Sequence, residues 1–308
     1  MSADDGTGRT SRGSDRLSAL RETFGKLRPF GTLVGVLLLV GAVAMVLRDS
    51  ASLADALATM AGAPRSIFVA LLGSVLLCVA LTGATFWFLT RRYGRVGFVE
   101  MQALMSATAL VNYLPLRPGL LARVAYHRSR NEIRARDSLR TIVEAMLLSL
   151  LALALLVPLL LGASKAAVPA WAAAAVPLAL ALPVAAASRS RSLGFAFASR
   201  YAETLLTTVR YDLAFRLVGV EMGWHGSAAI ACVSMIATMV PFVSNGLGLR
   251  EWAIGLMAPL LVDIPLERGL VAELINRAAE ILVIVPSGLV GAWWLWRRRR
   301  SSLPSRDT

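Results

Sequence analysis

The chain has 308 residues, is 56% hydrophobic with glycine left out of the count, and carries a net charge of +13 at a mean hydropathy of +0.64. A soluble domain is about 45–50% apolar even when glycine is included, so an ordinary water-soluble fold is excluded for most of this chain. The apolar residues fall in runs of the length, about 18–25 residues, that carries a helix across roughly 30 Å of hydrocarbon. Backbone polar groups in lipid must be satisfied within the segment, so the expected fold is all-α, a polytopic integral membrane protein.

All but Lys26 and Lys165 of the 32 basic residues are arginine, and they stand mainly between the apolar runs. Placed there, they anchor loops at an anionic cytoplasmic leaflet rather than bind nucleic acid. Cys78 and Cys232 lie inside apolar runs and read as small core residues. His127 and His225 are isolated from carboxylates and cysteines at ligand spacing, so no metal and no cofactor is expected. No Gly-x-x-x-x-Gly-Lys-Ser/Thr loop occurs, so nucleotide hydrolysis by that route is not expected.

In chain order, residues 1–29 are polar and basic and are expected to form a disordered cytoplasmic N-terminus, with 16–28 as an interfacial helix. They are not expected to act as a signal peptide, because about 29 polar residues precede the first apolar run and no small-residue cleavage site follows it. Spans are expected at 30–47 and 67–90, the second closed by Arg91, Arg92 and Arg95. The apolar stretch 96–116 has basic residues on both flanks. One crossing there would strand the arginines of 117–140 outside, so a re-entrant hairpin within 96–116 is expected. Further spans follow at 141–161, 168–187 and 201–220, and the last at 271–296, stopped by Arg297–Arg300 before a cytoplasmic tail at 301–308. The region 228–262 must begin and end outside and is broken at 245–251, which gives a second hairpin from the opposite face. The total is six full spans and two re-entrant hairpins in one domain, 30–300, with both termini cytoplasmic. Oppositely directed broken elements are the usual pointer to a transporter site, and an inverted repeat follows as an expectation.

The two breaks carry the chemistry. The first reads Asn112-Tyr113-Leu114-Pro115-Leu116-Arg117-Pro118-Gly119, with Arg123 four residues on. Prolines and glycine stop a helix there, and Arg117 and Arg123 are placed to meet phosphate through bidentate guanidinium contacts. The second runs Pro241 to Glu251. Asn245 is expected to cap the next half-helix, Gly246 and Gly248 to bare its backbone, and its N-terminus, with Arg250, to receive an anion. Glu251 is expected to hold Arg250 in place or to meet a cationic headgroup. Charges at membrane depth add Glu144, Arg210, Asp212, Arg277 and Glu280, the last two on one helix face and expected to share a cavity with Arg210 or Asp212.

Asn112, Pro115, Arg117 and Gly119, followed by Pro241, Gly246, Gly248 and Glu251, resemble the two hallmark stretches of the transmembrane, flippase-like region of the lysylphosphatidylglycerol synthase family. Three positions depart from that pattern: Leu120 where the family has Glu, Asn245 for the first glycine of a pair, and Glu144 as the remnant of a longer acidic motif. The resemblance covers roughly 30–300 and implies translocation of lipids, such as aminoacylated phospholipids, between leaflets, with a different headgroup plausible for a divergent branch. It implies no synthesis, since the aminoacyl-transferase domain is not in this chain. The expected role is thus a non-enzymatic flippase-like protein of a bacterial inner membrane. Its substrate is an anionic or aminoacylated lipid or lipid-linked precursor, and its protein partner a second copy or an envelope-synthesis subunit. A noncatalytic subunit of an envelope lipid or polysaccharide synthase is the alternative. A membrane enzyme acting on isoprenoid phosphates would need a metal-binding carboxylate pair, for which only Glu251 and Glu280 offer themselves.

Overall fold

A computed structural model describes residues 33, 36–48, 50–114, 118–165, 168–187, 191–240 and 246–301. Among these residues the chain is all-helical. The helices are α1 (Val36–Arg48), α2 (Ser50–Gly62), α3 (Arg65–Thr90), α4 (Phe98–Val111), α5 (Pro118–Arg130), α6 (Ala135–Lys165), α7 (Ala170–Ala187), α8 (Arg191–Arg216), α9 (Gly223–Met239), α10 (Leu249–Val262) and α11 (Leu266–Ser301). Three of them, α3, α6 and α11, are long and apolar enough to cross a membrane. Their outer faces expose Leu76 and Leu77, Leu147 and Leu150, and Leu282, Leu289 and Val290. So much contiguous apolar surface fits lipid and not water.

The interior is built on α8 and α11. Helix α8 packs along α3 and also meets α6, α7 and α9, while α11 packs along α4 and α10. Tyr211, Phe215, Ile230, Ile254 and Leu270 fill the core where α8, α9, α10 and α11 converge. Leu153, Leu156, Ala174, Tyr201 and Ala228 fill another between α6, α7, α8 and α9. Helices α4 and α11 approach closely because α11 is bare where they cross: a Cβ at Gly291 would sit 2.5 Å from the Ala103 carbonyl oxygen. Small residues at helix crossings are the common device of membrane packing.

Helices α4, α5, α9 and α10 have 14, 13, 17 and 14 residues. At 1.5 Å per residue they reach only about 20–26 Å, short of a full crossing. The start of α4 and the end of α5 lie together with the end of α11: Glu100 accepts from Tyr126 Oη (3.0 Å), Asn131 Nδ2 (3.1 Å) and Arg298 Nη1 (2.9 Å). Away from them, the start of α11 meets α2 through Arg268 and Asp55, 2.8 Å apart.

Several sequence expectations need correction. Among the described residues, the stretch 96–116 holds a single helix, α4, and the next helix, α5, falls inside the basic segment. Between the first two expected spans lies a further helix, α2, which the sequence reading did not assign. Helix α8 begins at Arg191 rather than at 201, because Phe195 stacks on Phe88 of α3 at 5.4 Å and Leu193 packs beside it. The N-terminal segment, with its interfacial helix, and all of the C-terminal tail beyond Ser301 fall outside the described residues.

Candidate substrate cavity

Helix α11 sets Glu273, Asn276, Arg277 and Glu280 on one face, at the three-, four- and seven-residue offsets that align side chains along a helix. All are at most 4% exposed. Helix α10 opens at Gly248, whose φ of 76° is open to glycine and poor for other residues. That start places Arg250 and Glu251 in the first turn, facing α11. The Arg250 guanidinium grips Glu280 with both terminal nitrogens, at 3.0 and 2.9 Å, and Glu273 with Nε. From α8, Arg210 reaches Glu280 Oε1 at 3.1 Å. Arg277 pairs with Glu251 Oε1 at 2.9 Å and lies 3.6 Å from Glu280 Oε2. Tyr211 donates to Glu273 Oε2 (2.9 Å), Asn276 Nδ2 donates to the same oxygen (3.1 Å), and Tyr113 donates to Glu280 Oε2 (3.3 Å).

Three arginines therefore face three glutamates. The cluster is electrically closed, although Glu251 Oε2 and Arg210 Nε lack a hydrogen-bond partner among the described residues. Desolvating an ion costs several kcal/mol, roughly, so a buried charge persists only with a close opposite charge and further hydrogen bonds.

Beside this cluster lies a cavity of about 380 Å³ between α3, α4, α5, α6, α8 and α9, with Arg250 of α10 and Glu280 of α11 on its wall. That volume falls in the range of about 300–1,000 Å³ of small-molecule sites. Val75, Phe86, Met105 and Met235 give it an apolar wall, and Arg123, Arg200, Glu203, Arg210, Arg250 and Glu280 a charged one. Arg200 is tied to Glu203 at 2.6 Å and donates to Ser149 Oγ, while Glu203 also accepts from Thr82 Oγ1 at 2.8 Å.

Arg123 is different. It is 3% exposed, its guanidinium lies 4.0 Å from the Phe86 ring centre, and Nη1 points at Met105 Sδ at 3.2 Å. Its Nε and Nη2 have no acceptor among the described residues. Sequence reasoning put Arg123 in the basic segment 117–140 as a phosphate-binding candidate; α5 carries it inside, to 3% exposure. The helix comes that close because Gly119 has no side chain: a Cβ there would be 2.2 Å from the Thr108 carbonyl oxygen and 2.5 Å from Asn112 Oδ1.

The sequence candidates thus divide. Asn112, Gly119, Arg123, Arg210, Arg250 and Glu280 line the cavity. Arg277 and Glu251 sit behind it, paired with each other, so Glu251 does not hold Arg250; Glu273 and Glu280 do. Asp212 is turned away, held by Arg216 at 2.8 Å. Glu144 pairs with Arg92 and Arg140 and does not line the cavity. Gly246 and Gly248 shape the turn before α10 and stand outside the wall. Pro115, Arg117, Pro241 and Asn245 lie outside the described residues. Glu251 and Glu280, the carboxylates considered for metal chemistry, each face arginine. Arg200, Glu203 and Glu273 were not singled out as site residues. The spacing of Glu273 to Arg277 and Glu280 on one helical face was the available signal for the last.

No family model, no curated protein and no solved structure matches this chain.

Proposed function

We propose that this protein is a flippase-like membrane protein that takes an anionic or aminoacylated lipid into the cavity beside Arg123 and moves it across a bacterial inner membrane. The observation that carries the reading is the cavity wall: four arginines and two glutamates opposite an apolar face, enclosed by helices whose outer surfaces suit lipid. Charged side chains among membrane helices face cavities and mark substrate paths. An amphiphile matches such a wall, with its head on the charged side and its chains toward lipid.

The proposed topology has six spans, with α4–α5 and α9–α10 as re-entrant hairpins from opposite faces and both termini cytoplasmic. It is supported by the shortness of these four helices and by the Glu100 junction, which joins both ends of the α4–α5 pair to the end of α11. Cysteines substituted at Ser129 and Asp263 should label from the cytoplasm and from outside, respectively; the reverse pattern, or labelling of both from one side, rejects it.

Reconstitution of the chain alone into vesicles holding fluorescent anionic lipid tests transport. We expect lipid to exchange between leaflets at a rate that rises with protein content. Absence of exchange in vesicles shown to contain folded protein rejects intrinsic translocation. It would favour a noncatalytic partner subunit, a reading that suits the closed charge cluster clamping α8, α10 and α11.

A further inference from the structure

Five arginines stand on or directly behind the cavity wall, Arg123, Arg200, Arg210, Arg250 and Arg277, against four glutamates, Glu203, Glu251, Glu273 and Glu280. Each glutamate is engaged by at least one of these arginines, and Arg200, Arg210, Arg250 and Arg277 each have a carboxylate within 3.1 Å. Arg123 has none among the described residues. The group as a whole is one positive charge in excess, and that excess sits on a side chain 3% exposed.

The free atoms of Arg123 are Nε and Nη2, which form one edge of the guanidinium. Two parallel N–H bonds on that edge match two oxygens of a single phosphate. The remaining nitrogen and the ring face are already used, by Met105 and Phe86. Asn112, at the end of α4 on the same wall, has a buried Oδ1 beside Gly119 without a partner among the described residues; as an acceptor it suits a hydroxyl of the headgroup and not the phosphate.

The geometry points to a ligand with one net negative charge, a lipid phosphodiester whose phosphate oxygens dock on the Nε–Nη2 edge of Arg123. This rests on the lipid-binding reading above and narrows it. An aminoacylated lipid adds an ammonium group, and no lining carboxylate is open to receive it. A phosphomonoester carries nearly two negative charges at neutral pH, about −1.5 to −2, and would leave the wall with an excess negative charge. A monoanion balances it.

Binding can be measured without transport, by thermal unfolding and native mass spectrometry of the purified full chain in neutral detergent. The probes are phosphatidylglycerol, phosphatidic acid, lysylphosphatidylglycerol and phosphatidylcholine, with glycerophosphoglycerol and inorganic phosphate as soluble counterparts. We expect phosphatidylglycerol to bind at least about tenfold more tightly than the other lipids, the size of one charge-assisted contact. The soluble phosphates should not compete at equal concentration. Arg123→Gln should abolish the preference while the lipid-free variant unfolds at or above the wild-type temperature, and Arg123→Lys should retain part of it. Equal binding of lysylphosphatidylglycerol, an unchanged preference in Arg123→Gln, or full competition by soluble phosphate overturns the proposal. So does loss of folding in both Arg123 variants, which would make the residue a strut. Retained binding without leaflet exchange rejects only transport, and exchange indifferent to headgroup charge rejects only this inference.

Discussion

Arg250 and Arg123 are both arginines buried to within 3% of full coverage on one cavity wall. They behave as opposites because of what faces them. Arg250 is held on three nitrogens by Glu273 and Glu280. Arg123 meets an aromatic ring and a thioether. Burial of a charge does not by itself mark a binding group; a buried charge with its carboxylates in place is a strut, and one without them is unfinished. The sequence reading gave an anion to both Arg123 and Arg250; the partners close Arg250 and leave Arg123 open.

The largest expected effect comes from breaking the closed cluster. Glu280→Gln removes the carboxylate shared by Arg210, Arg250 and Arg277. Breaking such a pair costs about 3–5 kcal/mol, so the melting temperature in detergent should fall sharply or the folded yield collapse. An unchanged melting temperature would mean that the cluster is not structural. A cycle on Arg277 and Glu251 sharpens the point: each single change to Met should cost about 3 kcal/mol, and the double change should cost less than either. Additive losses would show that the two do not act as a pair.

A smaller effect is expected at the approach of α5. Gly119→Ala drives a methyl group against the Thr108 carbonyl oxygen and should cost about 1–3 kcal/mol, measured by thermal unfolding. A neutral outcome would mean that α5 does not need to sit so close. Arg123→Leu carries the opposite sign: removing an uncompensated buried charge should leave the lipid-free protein as stable or more stable, by about 1 kcal/mol. The smallest effect belongs to Arg140, whose side chain is 68% exposed in its pair with Glu144; Arg140→Gln should stay within about 0.5 kcal/mol.

Much of the fold was legible in the sequence. The helices corresponding to the runs at 67–90, 141–161, 168–187 and 271–296 all appear, with ends displaced by up to six residues. The breaks near 112–119 and before Leu249 separate α4 from α5 and α9 from α10. Proline, glycine and hydropathy act locally, so they can be read one segment at a time. What was not legible involves residues whose neighbours come from elsewhere in the chain. Arg200 looks like a loop arginine until α8 is seen to begin before it and Glu203, Ser149 and Thr82 gather around. Asp212 looks like a cavity charge until Arg216 claims it on the far face of the same helix.

The sequence by itself determined that this chain is helical and suited to lipid, because backbone satisfaction and apolar length are properties of a segment. Only the tertiary structure decided which charges are closed and which is open. The reason is the short reach of an ion pair: whether Arg123, Arg210 or Arg250 has a carboxylate within about 4 Å depends on how α5, α8, α10 and α11 pack, and no spacing along the chain contains that distance.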